Sequence, residues 1–370
     1  MHVLNVMQCT NLGGTEHASL RLMQGLQARG HSFEVVSVNA LGAFAPKLAE
    51  NGIRCFGVPF KGKFGWRSHF QLRKTIQSVR ADALIMTGPT LSGVLALDVR
   101  PAERRILAVH FHHTGVRPAW AWRGLYKMVL SRFQAVTFPS DFIRREAVEI
   151  LPELAAISHT VYNPLMIPPL PTAEDRSCAR KQLGIPADAP VIGNAGWLIR
   201  RKRFDVFLQV ARRVFDQFPD AWFVIVGDGD LRRDLEHLSI QLRIQNRIRW
   251  LGWQQDLSPF YKSIDVLLFN SDWDAMGLTP LEAASFGVPV VASVLHGGLG
   301  EILGEGGAAL LAEQHHIDRL SEACLKLLSD SEARTRQGRE GRCRVSSRCS
   351  MQESTVYFEK LLENGHEPRL

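Results

Sequence analysis

Two carboxylates, Asp274 and Glu282, stand eight residues apart within Asn270–Ser293, on either side of Gly277. The stretch reads as a loop after a buried apolar strand, then a short helix, then a second buried strand. Thr279 is a good N-cap, Pro280 suits the first helical position, and Glu282 would complete a Thr-x-x-Glu capping box. On that reading Glu282 closes its own helix and nothing more. On the other, the amides of Gly277, Leu278 and Thr279 form a positive helix end suited to a phosphate. Spacing and capping alone leave both readings open.

A second constellation is basic. Arg200-Arg201-Lys202-Arg203 follows the strand Val191–Gly193 and opens a helix. Such a run is commonly a solvated face. Cations at a helix N-terminus, however, oppose the macrodipole, and they gain a purpose if they face a diphosphate. In the first half, Asn11-Leu12-Gly13-Gly14-Thr15-Glu16 joins a strand to a helix, with Thr15 as its candidate N-cap. Further on, His110, His112 and His113 crowd one strand end, but no carboxylate or cysteine stands nearby to make them a metal site. No metal is expected.

These groups need a frame to hold them. Strands are readable at 2–7, 33–38, 83–86, 106–109 and 135–137, and again at 191–193, 222–226, 248–251, 266–269 and 288–292, separated by helical segments at the spacing of parallel βαβ units. Between the two series, residues 163–171 carry four prolines and read as a stiff linker. The expectation is an α/β chain of two Rossmann-like, doubly wound domains facing a central cleft. Residues 1–165 form the first domain and 172–348 the second. A C-terminal helix over 349–370 is expected to pack back on the first domain.

Composition narrows the class. The chain has 370 residues, 45% hydrophobic and 22% charged, which is ordinary for a globular protein of two domains. No apolar run approaches the roughly 20 residues of a membrane span. The first residues read as a strand rather than a signal peptide. The six cysteines contain no CxxC pair, so neither zinc nor a disulfide framework is indicated, and a reducing cytoplasm is expected. The net charge of +7 is uneven: residues 1–165 hold 19 Lys and Arg against 10 Asp and Glu. The first half is therefore expected to face something anionic.

The motifs carry a resemblance. Gly277, Leu281-Glu282-Ala283, Gly287 and Pro289-Val290-Val291-Ala292 resemble the E-x7-E region of glycosyltransferase family 4, the retaining nucleotide-sugar transferases of GT-B fold. Gly297-Gly298-Leu299-Gly300-Glu301, Val226-Gly227-Asp228-Gly229, Trp250-Leu251-Gly252 and Tyr162-Asn163 are similar to further family motifs in the same order. The resemblance implies that Glu282 holds the ribose and that Asp274, one methylene shorter than the usual glutamate, lies at the donor sugar. It also implies that the amides of Gly277, Leu278 and Thr279 hold the distal phosphate. Lys202 matches the family's diphosphate lysine. Trp197 stands where an arginine is usual and Arg203 where a glycine is, so Arg201 is expected to supply the second cation. Gly14 and Thr15 match a loop that approaches the donor phosphate, and His110 a histidine beside the transferred sugar.

The implied function is transfer of a hexose from a nucleotide-sugar, a UDP-sugar being favoured, to a lipid-linked or surface-polysaccharide acceptor, with no metal and no cofactor beyond the donor itself. The alternatives are a non-catalytic GT-B partner subunit and a nucleotide-sugar epimerase. Cations mixed with aromatics at 61–67 and 117–127 suit the interface of an anionic membrane, so a cytoplasmic protein peripheral to the inner face is expected. Nothing in the chain resembles a nucleic-acid-binding module.

Overall fold

A computed structural model describes residues 1–58, 65–98, 104–109, 117–293, 297–304, 309–312 and 316–364. The chain divides into two compact units, Met1–Leu165 with Cys349–Leu370, and Met166–Arg348.

The first unit runs β1 (His2–Met7), α1 (Gly14–Gln27), β2 (Ser32–Ser37), α2 (Ala45–Glu50), β3 (Arg54–Gly57), α3 (Trp66–Ser78), β4 (Ala83–Thr87), α4 (Leu91–Ala96), β5 (Arg104–Ala108), α5 (Ala119–Leu130), β6 (Ala135–Phe138), α6 (Asp141–Ile150) and β7 (Ser158–Thr160). Among the described residues its sheet has seven strands in the order β3-β2-β1-β4-β5-β6-β7, all parallel. The chain winds outward from β1 to β3, then returns past β1 and winds the other way. Right-handed crossovers put α1 and α2 on one face and α3 to α6 on the other. The central strands read as continuous apolar runs because both faces are covered. Val3, Ile85 and Ile106 are buried with Leu26 of α1 in one cluster. Asn5, buried in β1, donates to Ser19 of α1 at 2.9 Å and accepts from Thr87 of β4 at 2.9 Å, which ties the start of α1 to the centre of the sheet.

The second unit runs α7 (Ala173–Gln182), β8 (Val191–Ala195), α8 (Phe204–Gln217), β9 (Trp222–Val226), α9 (Arg232–Gln241), β10 (Ile248–Trp250), α10 (Ser258–Ser263), β11 (Val266–Phe269), α11 (Leu278–Ser285), β12 (Val290–Ser293), β13 (Ala309–Ala312), α12 (Ile317–Ser329) and α13 (Ser331–Cys349). Its sheet is β10-β9-β8-β11-β12-β13, again parallel. The last helix, α14 (Met351–Asn364), belongs to the first unit. There Phe358, Leu361 and Leu362 join the buried cluster, and Glu359 takes hydrogen bonds from Arg29 at 2.5 Å and His31 at 2.9 Å.

Strands β3, β7 and β13 lie outside those read from the sequence. Each is an edge strand of three or four residues. In β3 and β7 solvent on one side removes the need for a continuous apolar run, so Arg54-Cys55-Phe56-Gly57 and Ser158-His159-Thr160 carry little pattern.

Candidate active site

In each sheet the order of strands reverses between two neighbours, β1 and β4 in the first and β8 and β11 in the second. Crevices beyond the C-terminal ends of such a pair are where parallel α/β sheets bind ligands, because the two following loops diverge there. In the second unit, β8 and β11 are hydrogen-bonded neighbours, although 74 residues separate Ile192 from its partner Val266. The loop after β8 carries Arg201 and Lys202, and the loop after β11 carries Asp274. Sheet topology therefore brings together residues that lie far apart in the sequence.

The two loops are joined along their backbones. The amide of Asp272 donates to the carbonyl of Arg201 at 2.8 Å, Asn194 donates to Asn270 at 3.2 Å, and the Asn270 amide donates to the carbonyl of Arg203. Arg201 donates to the carbonyl of Trp273 and stands 3.5 Å from the Asp274 carboxylate. Lys202 Nζ donates to Asp274 Oδ2 at 2.5 Å, with side chains only 14% and 19% exposed. Burial pushes the Asp274 carboxyl up, but the charges of Lys202 and Arg201, with bonds from Lys202 and Ser271, outweigh it and hold the group below its ordinary value. Asp274 is thus a carboxylate already matched to the two cations that the sequence assigned to a diphosphate.

Arg203 caps α8 at φ 48°, a left-handed conformation that costs a non-glycine residue about 1–2 kcal/mol. Its guanidinium is held by Asp205 at 2.9 Å and by Asp272 at 3.4 Å. The backbone shape that glycine would adopt at this position is retained here, and the side chain is tied away by two carboxylates.

The start of α11 corrects one expectation. The helix begins at Leu278, not at Pro280, because Gly277 turns the chain with φ 72° and serves as N-cap. Thr279 and Glu282 therefore form no capping box. The Thr279 hydroxyl donates instead to the carbonyl of Ala195 in β8 at 3.0 Å, and Glu282 Oε2 accepts from the Tyr261 hydroxyl of α10 at 2.8 Å. No side chain caps the helix, and the amides of Leu278 and Thr279 lie in its first turn, where no intrahelical acceptor exists. An anion would find both the dipole and these donors at that end. The loop is pinned from behind by Gly297, at φ 145°, where a Cβ would lie 1.7 Å from the carbonyl oxygen of Asp274, and by the Gly298 amide donating to Ala275 at 3.0 Å.

Trp197, 43% exposed where the resemblance called for a cation, has its ring 5.0 Å from that of Trp253, the residue after Gly252 in the loop beyond β10. Sequence reasoning missed this aromatic pair, since its members lie 56 positions apart and nothing local links them.

In the first unit, α1 starts at Gly14 with Gly13 as its extended N-cap, so Thr15 is an interior first-turn residue and not the cap. Glu16 folds back over this turn: a Cβ on Gly13 would lie 2.6 Å from its carboxyl. Burial raises the Glu16 carboxyl above its usual value, opposed by bonds from Cys9 at 3.2 Å and from its own amide. Gly14 and Thr15 thus share their helix end with a carboxyl of the chain itself. A cavity of about 280 Å³ opens beside them, lined by Cys9, Thr15, Glu16, Thr87, Arg117 and Trp122 among others. His110, with His112 and His113, lies outside the described residues.

Two family models match the chain in succession, "Glycosyl transferase 4-like domain" over residues 13–160 and "Glycosyl transferases group 1" over residues 175–344. The lipopolysaccharide core biosynthesis glycosyltransferase LpsE of Rhizobium meliloti is 29% identical over 183 residues, 50% of this chain and 52% of that protein. The UDP-Gal:alpha-D-GlcNAc-diphosphoundecaprenol alpha-1,3-galactosyltransferase of Escherichia coli is 31% identical over 153 residues, 40% of this chain and 39% of that one. The chain thus spans about half the length, or less, of these curated relatives. The crystal structure of HepE from Anabaena with UDP and glucose aligns at a TM-score of 0.85 and 18% identity, covering 98% of this chain and 99% of the other, a likeness of fold. With its two parallel-sheet units of GT-B type and with family models along nearly its whole length, the chain belongs to the group 1, family 4-type glycosyltransferases.

Proposed function

We propose that this protein is a retaining hexosyltransferase that takes its sugar from a nucleotide-sugar, a UDP-sugar being favoured, and passes it to a lipid-linked or surface-polysaccharide acceptor at the cytoplasmic face of a membrane. The observation that carries the reading is the cluster of Lys202, Arg201 and Asp274 beside the uncapped start of α11. In it, the leaving diphosphate lies against Lys202, Arg201 and the amides of Leu278 and Thr279, and Glu282 takes the ribose hydroxyls. Trp197, exposed and backed by Trp253, offers a ring face on which a nucleobase can stack. The acceptor hydroxyl attacks the anomeric carbon from the side the nucleotide leaves, the bond to the phosphate oxygen breaks, and that oxygen takes the hydroxyl proton. The chain's task is to position reactants and to offset the charge that develops on the diphosphate.

The names of relatives favour this acceptor class: LpsE acts in lipopolysaccharide core biosynthesis, and the E. coli relative acts on a diphosphoundecaprenol-linked sugar. The favoured donor base agrees with the UDP named for that relative and for HepE.

Incubation with UDP-, GDP- and ADP-sugars, with and without acceptor glycans, tests the reading by the nucleotide released. Release that depends on acceptor supports it. Conversion of the donor's sugar without acceptor would make the protein an epimerase, and donor binding without any turnover would make it a partner subunit. Arg201→Ala combined with Lys202→Ala should depress turnover by several orders of magnitude, and near-normal transfer would remove these cations from the mechanism.

A further inference from the structure

The first unit has a switch point of its own, between β1 and β4, and the cavity of about 280 Å³ lies there. Its walls come from the ends of both strands, from the first turn of α1, and from Arg117 and Trp122 at the entry to α5. Among the lining residues Arg117 is the one cation and Glu16 the one carboxylate. The two are used differently. Glu16 is committed within the chain, folded over the start of α1 with Cys9 Sγ donating to it at 3.2 Å. Thr87 is committed as well, donating to Asn5 at 2.9 Å.

Arg117 has no such partner. Among the described residues no carboxylate lies within ion-pair distance of it. Its guanidinium carbon stands 4.7 Å from the ring of Trp122, which is 2% exposed and stacked on the fully buried Tyr126 at 5.6 Å and 20°. A planar cation resting on a buried aromatic shelf keeps its orientation, and partial burial strengthens its field. Held in this way, its fork of N–H donors is a receptor for a carboxylate or a phosphate, either of which it can grip with two parallel bonds. A neutral ligand would leave the half-buried charge without a counter-ion. The remaining polar groups suit hydroxyls. Gln8 and Thr15 line the same cavity, and among the described residues their side chains make no hydrogen bond. Each can both donate and accept. The volume falls just below the roughly 300 Å³ at which pockets for larger ligands begin, which suits one sugar ring rather than a whole nucleotide-sugar.

We infer that this cavity binds an acidic sugar, its carboxylate or phosphate paired with Arg117 and its hydroxyls on Gln8 and Thr15, and that the acceptor residue is such a sugar. The second half rests on the transferase reading above. The first half is a statement about binding alone, so either can fail without the other.

Cys9 lines the cavity and is half-buried, whereas Cys178 and Cys343 are exposed elsewhere, which gives a footprint with internal controls. The full chain is alkylated with iodoacetamide in the presence of methyl glucuronide, glucose 6-phosphate or neutral methyl glucoside, on the order of tens of millimolar. Peptide mass spectrometry reads the rate at each cysteine. The acidic probes should slow Cys9 several-fold and the glucoside should not, with Cys178 and Cys343 unchanged in every case. The more protective acid tells carboxylate from phosphate. Arg117→Gln should raise the concentration for half-protection by about tenfold or more, and Arg117→Lys, which keeps the charge without the fork, should fall between. Glu16→Gln removes a negative charge while keeping a polar group, and should protect at least as well as the wild type. Equal protection by glucoside and glucuronide, protection unaltered in Arg117→Gln, or none with any probe would overturn the inference. The acceptor half is read by transfer from UDP-sugars to oligosaccharides ending in glucuronate or in glucose. A preference of about tenfold or more for the acidic end, lost in Arg117→Gln, is expected. Equal use of both ends would overturn that half and leave the binding site standing.

Discussion

Replacing Asp274 by Asn isolates what the carboxylate does for the cations around it. In the unliganded site Asp274 is the shared counter-charge of Lys202, at 2.5 Å, and Arg201, at 3.5 Å. Breaking a buried pair costs roughly 3–5 kcal/mol, and an exposed pair costs near 0–1 kcal/mol. Arg201 is 35% exposed and keeps its bond to the Trp273 carbonyl, so it loses little. Lys202 is 14% exposed and bears most of the effect. A value of about 2 kcal/mol follows, which for a unit of this size lowers Tm by roughly 4–8 °C. Because the folded-state carboxyl is held below its ordinary value, this contribution is fully present above the usual carboxylate pKa and disappears as pH falls through the depressed one. Wild type and Asp274→Asn should therefore converge in stability in acid.

The same substitution should act on UDP in the opposite direction. A diphosphate must draw Lys202 away from Asp274 in the wild type, whereas in Asp274→Asn it meets a lysine without a counter-ion. One charge-assisted bond is worth about 1.5–3 kcal/mol, so UDP should bind on the order of tenfold to a hundredfold more tightly by calorimetry. Sugar transfer from the nucleotide-sugar should fall sharply all the same if Asp274 lies at the donor sugar, as the family resemblance implies. Weaker UDP binding in Asp274→Asn, or an unchanged Tm at neutral pH, would refute this account of the cluster.

Glu282→Gln should weaken nucleotide binding by about 1.5–3 kcal/mol in calorimetry. Tyr261→Phe should cost much less, because it removes only the neighbour that orients the carboxylate; equal losses would mean that Glu282 serves Tyr261 and not a ribose. Gly297→Ala should displace the loop that carries Asp274, since a Cβ there would overlap its carbonyl oxygen, and transfer should drop with little change in the helical circular dichroism. Asp265→Ala should be the most destabilising of the set, by about 3–5 kcal/mol in urea unfolding. Its carboxylate accepts from Arg176 at 2.6 Å, Arg180 at 2.8 Å and the Val191 amide at 2.8 Å; without it the buried Arg180 keeps its bonds to the Ser263 and Ala187 carbonyls but loses its counter-charge. Asp265→Asn should recover part of that loss, and an Ala variant of wild-type stability would show the network to be dispensable.

Much of this protein was legible one segment at a time. Apolar strands such as Ala83–Met86 and Trp222–Val226 announce themselves because a parallel sheet covered on both faces tolerates little polar alternation. The four prolines of 163–171 mark a boundary because proline cannot continue an element. The site motifs were readable for a related reason: glycines needed at Gly277 and Gly297, and a lysine and carboxylates needed at fixed places, leave residues that few other constraints would select. The edge strands β3 and β7 escaped notice because solvent takes the place of one neighbour.

What the sequence could not decide was which residues meet. A capping box at Thr279 and Glu282 was the best local solution, and it lost because Gly277 turned the chain two residues earlier and distant partners, Ala195 and Tyr261, claimed both side chains. A run of arginines and lysines looked like a solvated face until the neighbouring positions of β8 and β11 in the sheet set it against Asp274. Spacing along the chain records local geometry, and strand order, which is settled by burial over the whole sheet, decides everything that depends on contact between remote loops.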